Sequence, residues 1–326
     1  TLSTGLRKLM PTGAALSTTY NLNRVDTSLA QYITINPSYT SQFMVEWRQP
    51  LLRSFGLDVN RAAISVALNT SHIARYKFRQ EVREVLALVE KTYWQLCQAR
   101  SDVVIQQQLI RQTEDTLTQT KAREGFDVYQ VQISQVESKL AIRRAEYVQI
   151  RNRVQDLEDQ LKGLLNDPEL PLGQDIEIIP ANYPIIGPVV LDSISEVQAA
   201  LENRAEIHQS KLNIENARIN IAVAKNQALP KFDLLFRYTL SGLASNPGRA
   251  FDEMSTSHFQ DYFVGVSFEY PIGNRAARAS LRKADLQRKQ AISGLREVIE
   301  KVILEVSVAV RALQTAYNQL EPAKKA

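Results

Sequence analysis

The chain has 326 residues, and its 39 Lys and Arg against 35 Asp and Glu give a formal net charge of +4. The basic residues are scattered among acidic ones without interleaved aromatic residues, which argues against a nucleic-acid-binding protein. No run of about 20 apolar residues occurs, which excludes a membrane-spanning helix. Cys97 is the only cysteine, which excludes a disulfide framework within the chain.

Two stretches near the start of the chain alternate between apolar and polar residues, a pattern typical of β-strands with two different faces. The first covers residues 12–24 and the second covers residues 39–49. A polar loop from Arg24 to Ser38 joins them. The sequence therefore predicts a β-hairpin over residues 12–49.

A long helix is predicted over residues 58–124, because this stretch has no proline or glycine and repeats apolar residues every three or four positions. At 1.5 Å per residue, such a helix is on the order of 100 Å long. Residues 125–127 break it, and a return helix with heptad-like apolar spacing is predicted over 128–166. Helices of this length indicate coiled-coil-like packing rather than a globular core.

The second half of the chain repeats the first. After an irregular, proline-rich connector over 167–191, the sequence predicts a helix over 193–229, a β-hairpin over 231–271 and a long helix over 274–320. Pro271 and Asn274 in the second half match Pro50 and Asn60 in the first. The chain is thus expected to hold two structural repeats, residues 1–166 and 192–326, on either side of the connector.

The four predicted strands cannot close a barrel within one chain, since the smallest closed membrane barrels use eight. Left open, their edges would act as templates for aggregation. The strands must therefore pair with those of other copies or form a small soluble sheet. The long helices favour a barrel continued by a helical tube, because a soluble sheet gives no reason for them.

In a barrel, the apolar face of the strands would face lipid and the polar face would line a water-filled lumen. The residues expected to face lipid are Leu16, Tyr20, Phe43, Val45, Trp47, Phe232, Leu234, Phe236, Tyr238, Tyr262, Val264, Val266 and Phe268. Those expected to face the lumen are Ser17, Thr19, Asn21, Glu46, Arg48, Asp233, Arg237, Thr239, Ser267 and Glu269.

Several motifs resemble those of the TolC-like outer-membrane efflux protein family, and they occur in the family's order along essentially the whole chain. The motifs are Leu9-Met10-Pro11-Thr12-Gly13, Gln49-Pro50-Leu51-Leu52-Arg53-Ser54-Phe55-Gly56, Arg204-Ala205-Glu206-Ile207, Ala228-Leu229-Pro230 and Tyr270-Pro271-Ile272-Gly273-Asn274-Arg275. Each motif is weak alone, but the ordered set is fairly specific.

The resemblance implies a mostly α fold with β-strands. Four strands from each subunit of a homotrimer would form a twelve-stranded barrel in the bacterial outer membrane, continued by an α-helical barrel in the periplasm. Such proteins are exit ducts of tripartite efflux pumps or type I secretion systems. The implied partners are a periplasmic adaptor protein, an inner-membrane transporter and outer-membrane lipid. No enzymatic reaction and no cofactor are implied.

The sequence departs from the family in two places. The family's turn between the long helix and its return contacts the adaptor, but here Glu124 and Gly125 run directly into Phe126, so the tip is shortened or a segment is absent. The resemblance still assigns the adaptor contact to Arg123, Gly125 and Asp127. No return helix follows residue 320, so gating residues cannot be assigned, and the chain is expected to be truncated at both ends.

No candidate active site or metal site is found in the sequence. His72, His208 and His258 are isolated from one another and from Cys97, and no metal-ligand spacing occurs. No glycine-rich phosphate loop or nucleophile elbow is present. The main alternative to a membrane duct is therefore another non-enzymatic protein, a soluble coiled-coil scaffold or adaptor with a small β-domain.

Overall fold

The computed structural model describes residues 1–28, 34–124, 129–174, 176–182, 187 and 192–325. This part of the chain is mostly helical and contains one antiparallel sheet, which confirms the general fold class predicted from the sequence. Its elements are β1 (Leu2–Leu9), β2 (Ala15–Val25), β3 (Ser38–Pro50), α1 (Leu57–Asn60), α2 (Ala62–Ala122), α3 (Gln130–Leu165), α4 (Ser193–Asn203), α5 (Ala205–Gln227), β4 (Lys231–Ala244), α6 (Pro247–Ser255), β5 (Phe259–Glu269) and α7 (Arg275–Lys325).

The elements group into two compact units. The first unit consists of Thr1–Lys77 and Leu191–Ala316, and the second consists of Phe78–Val190 and Tyr317–Ala326. The sheet, α5 and α6 lie in the first unit, and α3 lies in the second.

The sheet has five strands in the order β1-β2-β3-β4-β5, one more than the four that the sequence predicts. The additional strand, β1, escaped prediction because its alternation fails at one end. Leu2 and Leu6 pair with residues on the apolar face of β2, but Lys8 takes the next position on that face, opposite Leu16. Leu9 lies on the other face, so no consistent pattern is visible in the sequence.

A tight turn joins β1 to β2 and shortens the predicted first strand at its start. Gly13 donates its backbone N–H to the Met10 carbonyl at 2.9 Å and has a φ of 94°, a left-handed conformation that glycine adopts without strain. A Cβ on Gly13 would lie 2.2 Å from the Ser54 carbonyl oxygen. Strand β2 therefore starts at Ala15 rather than at residue 12.

The segment predicted as the loop between the last two strands contains helix α6. Strand β4 ends at Ala244. The Asn246 side chain then accepts a hydrogen bond from the Arg249 backbone N–H, and Pro247 occupies the first turn. Asparagine at the N-cap and proline in the first turn both favour a helix start, so the proline begins an element here.

Three asparagines stabilise the junctions between the sheet and the helices. The Asn226 side chain accepts from the Ser54 backbone N–H at 2.7 Å and donates to the Phe55 carbonyl at 3.3 Å. Asn60 donates to two carbonyls in the segment before α2, and Asn274 donates to a carbonyl at the end of α5. The repeated asparagines thus have similar roles at the starts of α2 and α7.

In the second unit, α2 and α3 pack antiparallel through heptad-spaced side chains. Leu96 and Ala99 of α2 are buried against Leu157 and Leu161 of α3. Four buried positions of α2 also recur at seven-residue intervals, as in a coiled coil, and three of them are polar. These positions are Thr92, Ala99, Gln106 and Thr113.

The break between α4 and α5 falls at Arg204, within one of the motifs that carry the family resemblance. The Arg204 guanidinium lies 2.7 Å from a carboxylate oxygen of Glu305 on α7. Ala205 and Ile207 follow and are both buried. In the first unit this motif therefore connects the start of α5 to α7.

Candidate functional site: the two faces of the sheet

The strand register decides which side chains share a face of the sheet. Each pair of neighbouring strands has a continuous antiparallel register over the paired residues, so side chains that lie opposite one another point to the same side. All thirteen residues predicted to face lipid lie on one side, which we call the apolar face. One cross-strand row, for example, contains Leu16, Trp47, Phe236 and Val264.

Measured along a strand, the apolar face has a length similar to the height of the apolar band in an outer-membrane barrel. On β4 it extends from Phe232 to Leu240, which at about 3.4 Å per residue is about 27 Å along the strand. The apolar band of an outer-membrane barrel is about 25 Å tall. Tyr238 and Tyr262 stack at 4.8 Å within this band, and Phe232 and Phe268 meet edge to face at its helix-proximal end.

All ten residues predicted to face the lumen lie together on the opposite side, which we call the polar face. Its rows include Ser17 with Glu46 and Arg237, Thr19 with Thr239, and Asp233 with Ser267. Asn21, Arg48 and Glu269 complete the set on the same side. Apolar side chains also lie there, among them Met44, Leu235, Phe259 and Phe263.

An ion pair crosses the middle of the polar face. The Arg237 guanidinium donates two hydrogen bonds, of 2.9 and 3.1 Å, to one carboxylate oxygen of Glu46 on the neighbouring strand. The guanidinium also lies over the Phe263 ring, 5.6 Å from its centroid. These contacts hold the arginine close to the sheet surface and balance its charge.

Asp233 forms a second charged cluster near the helix-proximal end of the polar face. Its carboxylate is only 6% exposed and lies 3.8 Å from both the Arg48 guanidinium and the Lys231 ammonium. Enclosing a carboxylate is costly unless cations lie beside it. Both clusters therefore pair charges of opposite sign within one polar surface.

Helix α6 lies on the apolar face, at the end of the sheet remote from the long helices. A Cβ on Gly242 would lie 2.2 Å from the Ala250 carbonyl oxygen, so the helix backbone sits directly on that residue. Ser41, which pairs with Gly242, is fully buried, and its hydroxyl lies 3.4 Å from the Met254 sulfur. This contact was not predicted from the sequence. Its only signal there is one small residue among the bulky residues on the apolar side of each strand, Ser41 on β3 and Gly242 on β4.

The residues predicted to contact an adaptor are only partly described. Arg123 follows the last turn of α2, and its backbone N–H donates to the Thr120 carbonyl at 3.3 Å. Gly125 and Asp127 lie outside the described residues.

A polar cavity of about 700 Å³ lies in the second unit between α2, α3 and residues 177–182. On one wall, Arg100 pairs with Glu158 at 2.5 Å and with Glu177 at 2.7 Å. Burial opposes the charge of Arg100, but the hydrogen bonds and charges of Glu177 and Glu158 outweigh it, so the pKa of the guanidinium lies above its ordinary value. Arg100 therefore balances one of the two negative charges on this wall.

The described residues contain neither a metal-ligand cluster nor a membrane-spanning helix. Within them, no three His, Cys, Asp or Glu side chains are grouped so that they could hold a metal ion. Across the same ranges, none of the helices combines the length and the apolar character needed to cross a membrane.

The comparisons with known proteins support the resemblance seen in the sequence. Residues 197–326 match the family model described as outer membrane efflux protein. No curated protein matches the chain in sequence.

Solved structures extend the similarity to nearly the whole fold. A membrane protein from Pseudomonas aeruginosa aligns over 97% of this chain and 71% of its own, with a TM-score of 0.74 and 16% identity. The outer membrane protein VceC from Vibrio cholerae aligns over 97% and 73%, with a TM-score of 0.70 and 16% identity. The open-state MtrE outer membrane channel from Neisseria gonorrhoeae aligns over 98% and 67%, with a TM-score of 0.65 and 17% identity. Together these findings confirm the resemblance to the TolC-like family.

Proposed function

Because the chain resembles the TolC-like outer-membrane efflux proteins in its C-terminal sequence and in its fold, we propose that it is an outer-membrane channel. Specifically, it is the exit duct of a tripartite efflux pump or of a type I secretion system. It catalyses no reaction and needs no cofactor, and an inner-membrane transporter supplies the energy.

The observation that carries the proposal is the division of the sheet into two faces. One face holds the thirteen side chains predicted to face lipid, in a band about 27 Å long, and the other holds mainly ionic and hydroxyl side chains. A soluble sheet that is half buried would cover its apolar face with a core. Here Val264, Val266 and Phe268 are each more than 60% exposed, which suits a surface that lies against lipid.

Strands β2–β5 are the four strands that we assign to the barrel. Because neighbouring strands are antiparallel, β2 and β5 run in opposite directions. Copies arranged head to tail can therefore join β5 to the next β2 in the antiparallel manner of outer-membrane barrels. If β1 were included, the two edge strands would run in the same direction and meet in parallel. Three copies of β2–β5 give twelve strands, whereas three copies of the whole sheet give fifteen.

Conduction through such a barrel would be passive. The polar face would line the lumen, and its ion pairs leave no large field of one sign to bind a charged solute tightly. A wall of this kind suits hydrated solutes of varied chemistry. The barrel lies in the outer membrane in this proposal, and the long helices lie in the periplasm.

The proposed partners are a second and third copy of the chain, a periplasmic adaptor protein and an inner-membrane transporter. We assign the adaptor contact to the turn between α2 and α3, with Arg123, Gly125 and Asp127 as candidate residues. This assignment rests on the position of the turn between the long helix and its return, which in the family contacts the adaptor.

The test is the mass of the detergent-purified full-length protein, with planar-bilayer conductance recorded on the same sample. A trimer that gives stable pores would support the proposal. A monomer or dimer that stays monodisperse without detergent and gives no pores would overturn it in favour of a soluble coiled-coil scaffold. Detergent dependence is the discriminating observation, since only a lipid-facing sheet requires it.

A further inference from the structure

Helix α6 occupies a position that the proposed function leaves unexplained. It joins β4 to β5 at the end of the sheet opposite the starts of α2 and α7. It also packs on the apolar face rather than over the opening of the sheet, through Ala250 and Met254 against Gly242 and Ser41. A helix on that face would lie outside a barrel, on the lipid side.

The helix lies at the outer limit of the apolar band. The last bulky row of the band contains Tyr20, Phe43 and Leu240. The next row outward contains Leu22, Ser41 and Gly242, and α6 covers the serine and the glycine. In a membrane about 30 Å thick in hydrocarbon, the layer just beyond such a band is that of the headgroups.

The side chains of α6 are arranged with respect to this boundary. Ala250 and Met254 form the buried stripe, and helix geometry places Phe251 on one flank of it and Glu253 on the other, with Arg249 further round on that same side. The Phe251 ring meets the Tyr20 ring edge to face at 6.2 Å, so this flank is turned towards the band. Arg249 is therefore on the flank turned away, and Asp252 points outward from the sheet.

Phe251 is itself only half covered by these contacts. Its side chain is 49% exposed although its neighbours in the stripe are buried. An aromatic ring with one edge on a packed tyrosine and the rest free, next to charged residues, is typical of the membrane–water interface. Short amphipathic helices lie in this layer with the apolar flank in the hydrocarbon and the charged flank in water.

We propose that α6 is an interfacial helix that binds the lipid headgroup layer on the outside of the barrel. Phe251 inserts at the upper edge of the hydrocarbon, while Arg249 and Asp252 lie among the headgroups. The inference rests on the proposed function, because it needs the apolar face to be lipid-facing. It adds a lipid contact outside the strands, in a segment that connects two of them.

The test places one tryptophan at a time in a Trp47→Phe, Trp94→Phe background of the full-length protein, reconstituted into phosphatidylcholine vesicles. The vesicles contain phosphatidylcholine brominated either near the headgroup or near the end of its acyl chains. The reporters are Phe251→Trp on α6, Val264→Trp at the centre of the apolar band, and Ser267→Trp on the polar face. Bromine quenches tryptophan emission only on close approach, so the loss of emission reports depth.

The expected result is that Phe251→Trp loses more emission to the shallow bromine, Val264→Trp loses more to the deep bromine, and Ser267→Trp is quenched by neither. If Phe251→Trp is unquenched while Val264→Trp is quenched, α6 does not contact lipid and the inference is wrong, although the channel proposal stands. If Val264→Trp is also unquenched, the apolar face does not meet lipid and both proposals fail.

Discussion

At the scale of single residues, Asn226 does the most to connect the strands to the helices. Asn226 is 9% exposed. Its side-chain oxygen accepts a hydrogen bond from the backbone of the segment that follows β3, and its side-chain nitrogen donates one to the same segment. Ser54 in that segment has a φ of 68°, which costs a non-glycine residue free energy. The hydrogen bonds of Asn226 offset that cost and fix the direction in which the chain leaves the sheet.

Replacing Asn226 with Ala should destabilise this segment locally. The substitution leaves the Ser54 N–H and the Phe55 carbonyl without their partner, at a cost of about 1–3 kcal/mol. Amide hydrogen exchange in residues 51–56 should accelerate by about tenfold for each 1.4 kcal/mol lost. Asn220→Ala, at an exposed position on the same helix, is the control and should leave that exchange unchanged. Equal effects from both variants would show that Asn226 has no special role.

The sequence predicts residue positions well where one simple period governs them. Period-two alternation correctly grouped the residues of each face, because a strand has no other way to divide its side chains. It could not identify Ser41 or Gly242 as a contact for another element. Those two small residues stand among bulky apolar residues on β3 and β4. A small residue at such a position looks the same in a sequence whether it faces solvent or packs against a helix.

At the scale of elements, the α2–α3 pair is stabilised by a mixed seam of apolar and polar side chains. Gln106 donates to the Arg143 carbonyl and to Glu146, and Arg143 donates to the Leu109 carbonyl and to the Thr113 hydroxyl. Such contacts permit only one register between the two helices. The heptad spacing was visible in the sequence, whereas the partners of its polar positions were not.

Replacing Arg100 with Met should destabilise the second unit far more than breaking an exposed pair. Arg100 is 22% exposed and Glu158 11%, so its loss leaves a carboxylate largely buried without a cation. The expected cost is about 3 kcal/mol of unfolding free energy, measured by denaturant unfolding. Arg144→Met removes the exposed pair with Glu114 on the same two helices and should cost less than about 1 kcal/mol. Similar losses in both variants would contradict a buried role for Arg100.

Two glycines allow a test of how α6 packs on the sheet: Gly242 lies beneath the helix on β4, and Gly248 lies in its first turn. Gly242→Ala places a Cβ 2.2 Å from the Ala250 carbonyl oxygen, so α6 must shift away from the sheet. Gly248→Ala meets only the Asn246 side chain at 3.8 Å and should leave α6 in place or stabilise it by about 0.5–1 kcal/mol. Limited trypsin digestion after Arg249 should accelerate in the first variant only. Unchanged digestion of Gly242→Ala would show that the close packing of α6 on the sheet is not required.

Strand β1 and helix α6 share the reason for which they were missed. Each is short, and its local pattern is ambiguous until a neighbour is present. The exposed strand β1 is ordered by pairing with β2 over eight residues, and α6 is ordered by packing on two strands. Tertiary contacts of this kind select among local conformations that propensities leave nearly equal.

At the scale of the whole molecule, the sequence shows that the edges of the sheet need partners but does not decide whether its apolar face meets lipid or water. Amphipathic strands with free edges require partners of some kind, but the pattern of a strand is the same in a soluble sheet and in a barrel. The family resemblance favours the barrel, and the exposed apolar face agrees with it. A charge placed on that face distinguishes the two possibilities, because a charged side chain is costly in lipid but well solvated in water.

We therefore expect Val264→Arg to prevent stable insertion of the sheet. Val264 lies in the central row of the apolar band, where an arginine costs about 2–4 kcal/mol in an outer-membrane barrel. Ser267→Arg, three residues along the same strand, lies on the polar face opposite Asp233 and should be tolerated. The measurement is the fraction of protein folded in vesicles after refolding, judged by the change in gel mobility on heating. If the sheet were soluble, its exposed apolar face would lie in water, and Val264→Arg would fold as well as Ser267→Arg.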